Sequence, residues 1–187
     1  MGVCFPWLVT RSVEVLRSQW TGSAQRLEQR LGGLTDDEFF WEPVPGCWTV
    51  KPDAARGGGW TYDYEWPPPS PAPLTTLAWR LVHIAADNWI YWEHAFGARR
   101  RTFVDLPVPS SAMKAVENWQ RSREPVSAWL TSANDEDLDQ LRPSHLGDSK
   151  SAGEVIAILV DEQVHHGAEI ALLRDLYAHR YTSRYPA

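Results

Sequence analysis

Four separate stretches of this sequence repeat apolar residues every three or four positions, and this repeat limits the possible folds more than any other feature. Such spacing places apolar side chains on one face of an α-helix. We predict helices near residues 10–31, 75–96, 111–132 and 151–178. The alternation that marks half-buried strands is weak throughout, so the sequence predicts an all-α fold, a four-helix bundle.

The ends of these predicted helices carry residues that commonly begin or interrupt helices. Thr75 or Thr76 can cap the second helix and Ser151 can cap the fourth, because a hydroxyl oxygen accepts a hydrogen bond from a free backbone N–H. Pro125 lies inside the third helix. Proline removes a backbone donor, so this position predicts a kink or a break.

Two long links join the predicted helices. The first, from Thr35 to Pro73, holds most of the prolines and four tryptophans, Trp41, Trp48, Trp60 and Trp66. Because those rings have apolar surface to bury, we expect an ordered crossover that packs on one end of the bundle and covers a pocket. The second link, from Ser132 to Lys150, is polar and acidic, which indicates a solvated connection. With 187 residues and no internal repeat, residues 1–187 are expected to form a single domain.

Composition narrows the classes of partner. A net charge of -6 disfavours nucleic acid, since binding phosphates requires a basic surface. No stretch has the length or apolarity of a membrane span or a signal peptide, so we expect no membrane partner and a cytoplasmic location. Two cysteines, Cys4 and Cys47, imply no disulfide framework. Neither is expected to be a nucleophile, because Cys4 is near the terminus and Cys47 lies in a Pro-Gly-Cys-Trp turn.

The fourth predicted helix contains an ionisable pair on its apolar face. Glu162 and His166 are four residues apart, so their side chains stand one above the other. Burying a lone carboxylate is costly unless it is paired or neutralised, and a divalent cation between the two side chains would remove that cost. His83 lies on the apolar face of the second helix, and Asp87 follows it four residues later.

Together these residues predict a metal site formed by His83, Glu162 and His166. Three protein ligands with open positions are typical of a catalytic or substrate-binding metal. Other interpretations stay open, because Glu–His pairs are common on solvated helix faces and a lone histidine is more often hydrogen-bonded. His165 points about 100° away around the helix, on the rim of the site. Three further histidines are expected on the surface: His94, His145 and His179.

Three stretches resemble a known family: LTDDEFFWEPVPGCWTV after the first helix, TTLAWRLVHIAADNWIYWEHAFG in the second and DEQVHHGAEIALLRDLY in the fourth. On these residues the chain resembles the DinB superfamily, also described as DinB/YfiT-like metalloenzymes. The resemblance implies a four-helix bundle with a long crossover after the first helix. It also implies a metal held by three histidines, one from the second helix and two spaced four residues apart on the last.

Carried over by position, the family's ligands fall on His83 and His166, while its remaining histidine falls on Glu162. Glutamate binds Zn²⁺, Ni²⁺, Fe²⁺ or Mn²⁺, and two histidines with one carboxylate form a recognised open site. We therefore expect a divalent metal ion to be retained. The alternative is a site without metal, in which Glu162 is hydrogen-bonded to one of the histidines.

Relatives of the family include transferases that use mycothiol or bacillithiol, mycothiol-dependent maleylpyruvate isomerase and the metal-binding domain of ergothioneine-type sulfoxide synthases. The resemblance implies a metal-dependent thiol S-transferase acting on a small electrophile, with a low-molecular-weight thiol of the mycothiol type as cosubstrate. Asp87 or His165 would then orient the ligands, and Glu169 would take part in proton transfer. Since relatives often dimerise through their helices, a homodimer is also expected.

Two other classes stay open at this point. The first is a metal-dependent hydrolase, lyase or isomerase, with Glu169 or Asp87 as the general base of a hydrolase or lyase. The second is a non-catalytic member that has lost the metal and binds a small molecule.

Overall fold

The computed structural model describes residues 11–54 and 58–181, and these are mostly helical. The long helices are α1 (Ser12–Leu31), α3 (Leu77–Phe96), α4 (Ala112–Ser132) and α6 (Ala152–His179). Two short helices, α2 (Asp36–Phe39) and α5 (Asp135–Leu138), lie in the links. The four predicted helices are present, each with its ends within two residues of the prediction.

The structure is mostly helical, as predicted, and it also contains two short antiparallel hairpins that the prediction of an all-α fold did not include. Strand β1 (Val50–Asp53) pairs with β2 (Gly59–Tyr62), and β3 (Leu141–Pro143) pairs with β4 (Ser149–Ser151). Within the described residues each sheet has two strands. These strands are three or four residues long, and that is too short for an alternating pattern to stand out in the sequence.

Side-chain caps fix where two of the long helices begin. The hydroxyl of Thr76 accepts a hydrogen bond from the backbone N–H of Trp79 at 3.3 Å. Ser151 accepts from the backbone of Glu154 at 3.1 Å, and the Glu154 carboxylate accepts from the backbone of Ser151 at 2.6 Å. Both predicted caps are therefore confirmed, with Thr76 rather than Thr75 at the start of α3.

The sequence predicted a kink or a break at Pro125, and the break does not occur, because helix α4 continues through the proline. Trp119 lies six residues before the proline and Val126 directly after it, and both have 0% of their surface exposed. Because residues on both sides of the proline are buried in the core, tertiary packing holds the two halves of α4 in one helix.

Each long helix packs against two others, in the cyclic order α1, α6, α3, α4. The interior between them contains large aromatic side chains, with Trp20 of α1 at 1% exposure and Trp119 of α4 at 0%. Trp66 in the first link, where buried rings were expected, is instead 79% exposed. No helix among the described residues combines the length and the apolarity needed to cross a membrane.

The first link is tied to the beginning of α3. The backbone N–H of Trp48 donates to the carbonyl of Leu74 at 2.8 Å, and that of Thr76 donates to the carbonyl of Trp48 at 2.9 Å. The indole N–H of Trp79 donates to the carbonyl of Asp63 at 2.6 Å. These bonds hold aromatic residues of the link beside the first turns of α3, where His83 lies.

An ion pair joins α2 to the far end of α6. Arg174 donates to both carboxylate oxygens of Glu38, at 2.7 and 3.0 Å, and also to the backbone carbonyls of Arg30 and Gly32. Glu38 is only 7% exposed. We call this pair the Glu38–Arg174 clamp. The second link is more structured than expected, since it contains α5 and the β3–β4 hairpin.

Candidate metal centre

Helices α3 and α6 bring the three predicted ligands together. His83 comes from α3, while Glu162 and His166 stand one turn apart on α6, and one ligand atom from each lies within 4.8 Å of the other two. The two imidazole rings meet edge to face, with centroids 4.8 Å apart. The helical spacing read from the sequence therefore corresponds to a real convergence of two nitrogens and one oxygen.

Glu162 lies between the two rings. Its Oε2 is 3.0 Å from Nε2 of His166 and 3.4 Å from Nε2 of His83. That oxygen is buried and forms no hydrogen bond, because neither contact has hydrogen-bond alignment. At these distances the N–H group of His166, and then that of His83, still stabilises the charged form even without full alignment. This holds the pKa of Glu162 well below its usual range, so the group is a carboxylate.

A buried carboxylate oxygen without a hydrogen bond is unfavourable, and buried polar atoms normally have a partner. A cation at the point faced by Oε2 and the two Nε2 atoms would supply that partner. Two imidazole nitrogens and one carboxylate oxygen are donors that divalent first-row metal ions accept. The residues present therefore fit the divalent ion that the sequence suggested.

Asp87 lies one turn along α3 from His83. Its side chain is 7% exposed, and Oδ2 is 3.3 Å from Nε2 of His83. Burial raises the pKa of Asp87 to about 6; His83 opposes this rise and Glu162 adds to it. The predicted orienting residue thus lies directly beside one of the predicted ligands.

Glu169 contacts the other side of His166. Its Oε2 is 2.6 Å from Nδ1 of His166 and 2.8 Å from Nε of Arg80. Burial opposes protonation of His166, but the contacts with Glu162 and Glu169 outweigh it and raise the pKa of His166 to about 8. An Nδ1–H donated to Glu169 leaves Nε2 facing Glu162, the arrangement that a histidine ligand adopts.

A second group of possible ligands consists of His165, His166 and Glu169. Nε2 of His165 is 3.4 Å from Oε1 of Glu169, but its side chain is 61% exposed. The Glu169 carboxylate already has a cationic partner in Arg80. This group is therefore a weaker candidate than the one formed by His83, Glu162 and His166.

Sequence reasoning missed the aromatic wall beside His83. The ring of Trp79 stacks on His83 with centroids 4.9 Å apart, Trp48 lies 5.9 Å from Trp79, and Tyr64 lies 6.3 Å from Trp48. The four-residue spacing of Trp79 and His83 on one helix could have indicated that their rings are in contact. Trp48 and Tyr64 come from the first link, and no spacing in the sequence connects them with α3.

Other predicted positions lie away from this centre. Cys47 is buried, and its thiol donates to the carbonyl of Val44 at 3.0 Å; Cys4 lies outside the described residues. His179 is exposed as expected. His145 is half-buried instead, because the loop between β3 and β4 places its ring 4.5 Å from that of Tyr91. His94 is partly buried, with Nε2 at 3.1 Å from the carbonyl oxygen of Arg101.

Comparisons with known proteins agree with this architecture. A family model of the DinB superfamily matches residues 61–170. The fold is similar to the crystal structure of a DinB-like protein from Bacillus cereus ATCC 10987, with a TM-score of 0.59, 18% identity, and 93% of this chain and 97% of that one covered. It is also similar to a conserved protein from Enterococcus faecalis, with a TM-score of 0.55, 12% identity, and 90% and 98% covered. A comparison with curated proteins gives no match.

Proposed function

The chain belongs to the DinB superfamily, and from this premise we propose that it is a metal-dependent thiol S-transferase that joins a mycothiol-type thiol to a small electrophile. The observation that carries the proposal is the convergence of His83, Glu162 and His166 around a buried carboxylate oxygen that forms no hydrogen bond.

These three residues would hold the metal through Nε2 of each histidine and a carboxylate oxygen of Glu162. When bound, a divalent ion lowers the pKa of a thiol and so maintains a thiolate at neutral pH. The donor set suits Zn²⁺, Ni²⁺, Fe²⁺ or Mn²⁺.

Neighbouring residues would keep the ligands in place. Glu169 accepts the Nδ1 proton of His166 and directs Nε2 towards the site, while Arg80 holds Glu169 through an ion pair of 2.8 Å. Removing such outer partners typically costs about 10–100-fold in metal affinity or activity. Glu169 also connects His166 with His165, whose exposed ring can exchange protons with solvent.

The aromatic wall would bind the electrophile. Trp48, Trp79 and Tyr64 form a continuous series of ring contacts that ends on His83. Such rings offer a large apolar surface with specific stacking geometry. Because Trp79 is only 7% exposed and Tyr64 is 59% exposed, the free ring surface of Trp48 and Tyr64 would contact a small acceptor with an apolar or aromatic body.

A metal-dependent hydrolase or lyase is the second candidate, and Asp87 is the observation that favours it. A carboxylate whose pKa is raised to about 6 is suited to act as a general base near neutral pH. In that case an ester or amide would be cleaved, and no thiol would be consumed.

We also propose the remaining features that the family implies. Residues 1–187 would form one domain, a four-helix bundle in which residues 35–73 are the Pro- and Trp-rich crossover. The protein would act in the cytoplasm on small molecules, without nucleic acid or membrane, and would form a homodimer.

The test is an assay of the purified full-length protein, with and without a chelator. Mycothiol, bacillithiol and glutathione are each combined with a chromogenic aryl halide, and ester and amide hydrolysis is measured in parallel. We expect thiol conjugation that disappears with the chelator and returns with added metal. Hydrolysis without conjugation would favour the second candidate. A protein that binds no metal and turns over neither class of substrate would contradict both.

A further inference from the structure

One nitrogen of the metal centre faces two carboxylates. Nε2 of His83 lies 3.3 Å from Oδ2 of Asp87 and 3.4 Å from Oε2 of Glu162. Asp87 is thus a second carboxylate at one ligand nitrogen, and its position needs an explanation of its own.

Asp87 differs from Glu169 in the nitrogen that it contacts. An orienting carboxylate accepts the proton of the ring nitrogen that faces away from the metal. Glu169 does this at Nδ1 of His166. Asp87 instead approaches Nε2 of His83, the same nitrogen that faces Glu162. A ring nitrogen that binds a metal carries no proton to donate, so Asp87 cannot orient His83 in this way while Nε2 binds the metal.

The distances fit a shared ion. Two atoms bound to one first-row metal at about 2.0–2.2 Å lie roughly 3.0 Å apart at a right angle and roughly 3.5 Å apart at a tetrahedral angle. The contacts of Glu162 with His166 and His83, and of Asp87 with His83, are 3.0, 3.4 and 3.3 Å. All three fall within the spacing expected between neighbouring ligands. Asp87 has this spacing to His83 and lies outside the group of ligand atoms that are all within 4.8 Å of one another, so its carboxylate would turn further towards the ion on binding.

Charge supports the same assignment. The Asp87 side chain is 7% exposed and that of Glu162 is 29% exposed, and His83 contacts both. Burying two carboxylates together is costly unless positive charge balances them. A divalent cation balances both carboxylates while the two imidazoles stay neutral.

We infer that Asp87 is a fourth metal ligand, so that the centre consists of two histidines and two carboxylates. This inference rests on the metal site of the proposed function and deepens it. A donor set with more oxygen favours Mn²⁺ or Fe²⁺ over softer ions. It also engages one of the two carboxylates, Asp87 and Glu169, that could serve as the general base of the hydrolase alternative.

The experiment loads the protein with Co²⁺ and determines the ligand shell by X-ray absorption and visible spectroscopy. Asp87→Asn and Asp87→Leu are compared with wild type. Asp161→Asn is the matched control. Asp161 is exposed on α6 next to Glu162, and its replacement removes the same charge as Asp87→Asn. We expect both Asp87 variants to change the Co²⁺ spectrum, the leucine variant to lose one oxygen scatterer, and affinity to fall by at least about tenfold. The control should match wild type.

Folding of each variant is checked by thermal denaturation of the metal-free protein. A crystal structure of the wild type with Co²⁺ tests the inference even if the variants do not fold: Asp87 Oδ2 should lie within about 2.3 Å of the ion. An oxygen more than about 3 Å away, or an unchanged spectrum and coordination number in Asp87→Leu, would overturn the inference. Failure of the proposed site itself looks different, because His166→Ala would then keep the wild-type spectrum.

Discussion

Two carboxylates at helix α6 differ in their hydrogen bonding: Glu38 of α2 packs near the end of α6, and Glu162 belongs to the middle of α6 itself. Glu38 accepts hydrogen bonds on both oxygens from Arg174. Glu162 is flanked by His83 and His166, yet its Oε2 forms no hydrogen bond.

The difference lies in the partners. A guanidinium presents several donors in a fixed plane, so one arginine can donate hydrogen bonds to both oxygens of a carboxylate. Imidazole rings can be neutral and present a lone pair, so two rings around a carboxylate leave room for a cation. The Glu38–Arg174 clamp should therefore control stability, and the centre at Glu162 should control metal binding. The following changes separate the two roles.

The largest expected effect is loss of the metal in His166→Ala. This change removes a ligand nitrogen, and metal content should fall from about one ion per chain to background in protein purified without added ions. Elemental analysis measures it. The matched control is His165→Ala, which removes the exposed neighbouring ring and should keep the metal. Equal metal content in both variants would contradict the assignment.

The next largest effect is on stability, in Arg174→Leu. It leaves Glu38 buried without its partner, which should cost about 3–5 kcal/mol of unfolding free energy. For a chain of this size the melting temperature should fall by on the order of 6–20 °C. Arg121→Leu, at an exposed position of α4, should change it little. Metal affinity per folded molecule should stay at the wild-type value, and a large loss would mean that the clamp and the centre are not independent.

The pH dependence of metal binding is expected to be smaller but measurable. His166 must lose its proton to bind a metal through Nε2 while Nδ1 stays bonded to Glu169, and its pKa in the metal-free protein is raised to about 8. Affinity should therefore level off above pH 8 and fall about tenfold for each pH unit below it. Titration calorimetry in buffers of different ionisation enthalpy would detect the released proton at pH 7. Constant affinity from pH 6.5 to 8.5 would contradict a role for His166 as a ligand.

The smallest expected effect is the change in stability when Glu162 is replaced, and it is compared with the effect of the same replacement on metal binding. Glu162→His restores three histidines and should keep metal binding, whereas Glu162→Leu should weaken it strongly. In the metal-free protein, Glu162→Leu should change the unfolding free energy by only about 1 kcal/mol, because the remaining histidines can become neutral. This contrasts with Arg174→Leu. A leucine variant that binds metal as tightly as wild type would show that Glu162 is a bystander.

The sequence predicted the features that depend on local spacing. The long helices follow from three-to-four-residue repeats, and Thr76 and Ser151 could be named as caps because capping is a contact within one turn. The hairpin strands were missed because a strand of four residues, such as Val50–Asp53 with its proline, is too short to show an alternation of apolar and polar residues. Their pairing depends on contacts with another segment.

The same limit applies to the candidate site. Glu162 and His166 are neighbours on one helix, so their meeting could be predicted. The approach of Arg80 to Glu169 could not, because these residues lie on different helices and meet only through the packing of α3 on α6. Asp87 was recognised as a neighbour of His83, but which ring nitrogen it contacts depends on side-chain orientation.

The central claim is that the unsatisfied oxygen of Glu162 marks a metal position, and anomalous diffraction tests it most directly. Crystals of the full-length protein would be soaked with Mn²⁺ or Zn²⁺ and measured near the absorption edge of the ion. We expect a single strong peak about 2.0–2.2 Å from Nε2 of His83, Nε2 of His166 and a carboxylate oxygen of Glu162. A peak bound instead by His165 and Glu169, or no peak between α3 and α6 at saturating metal, would contradict the account.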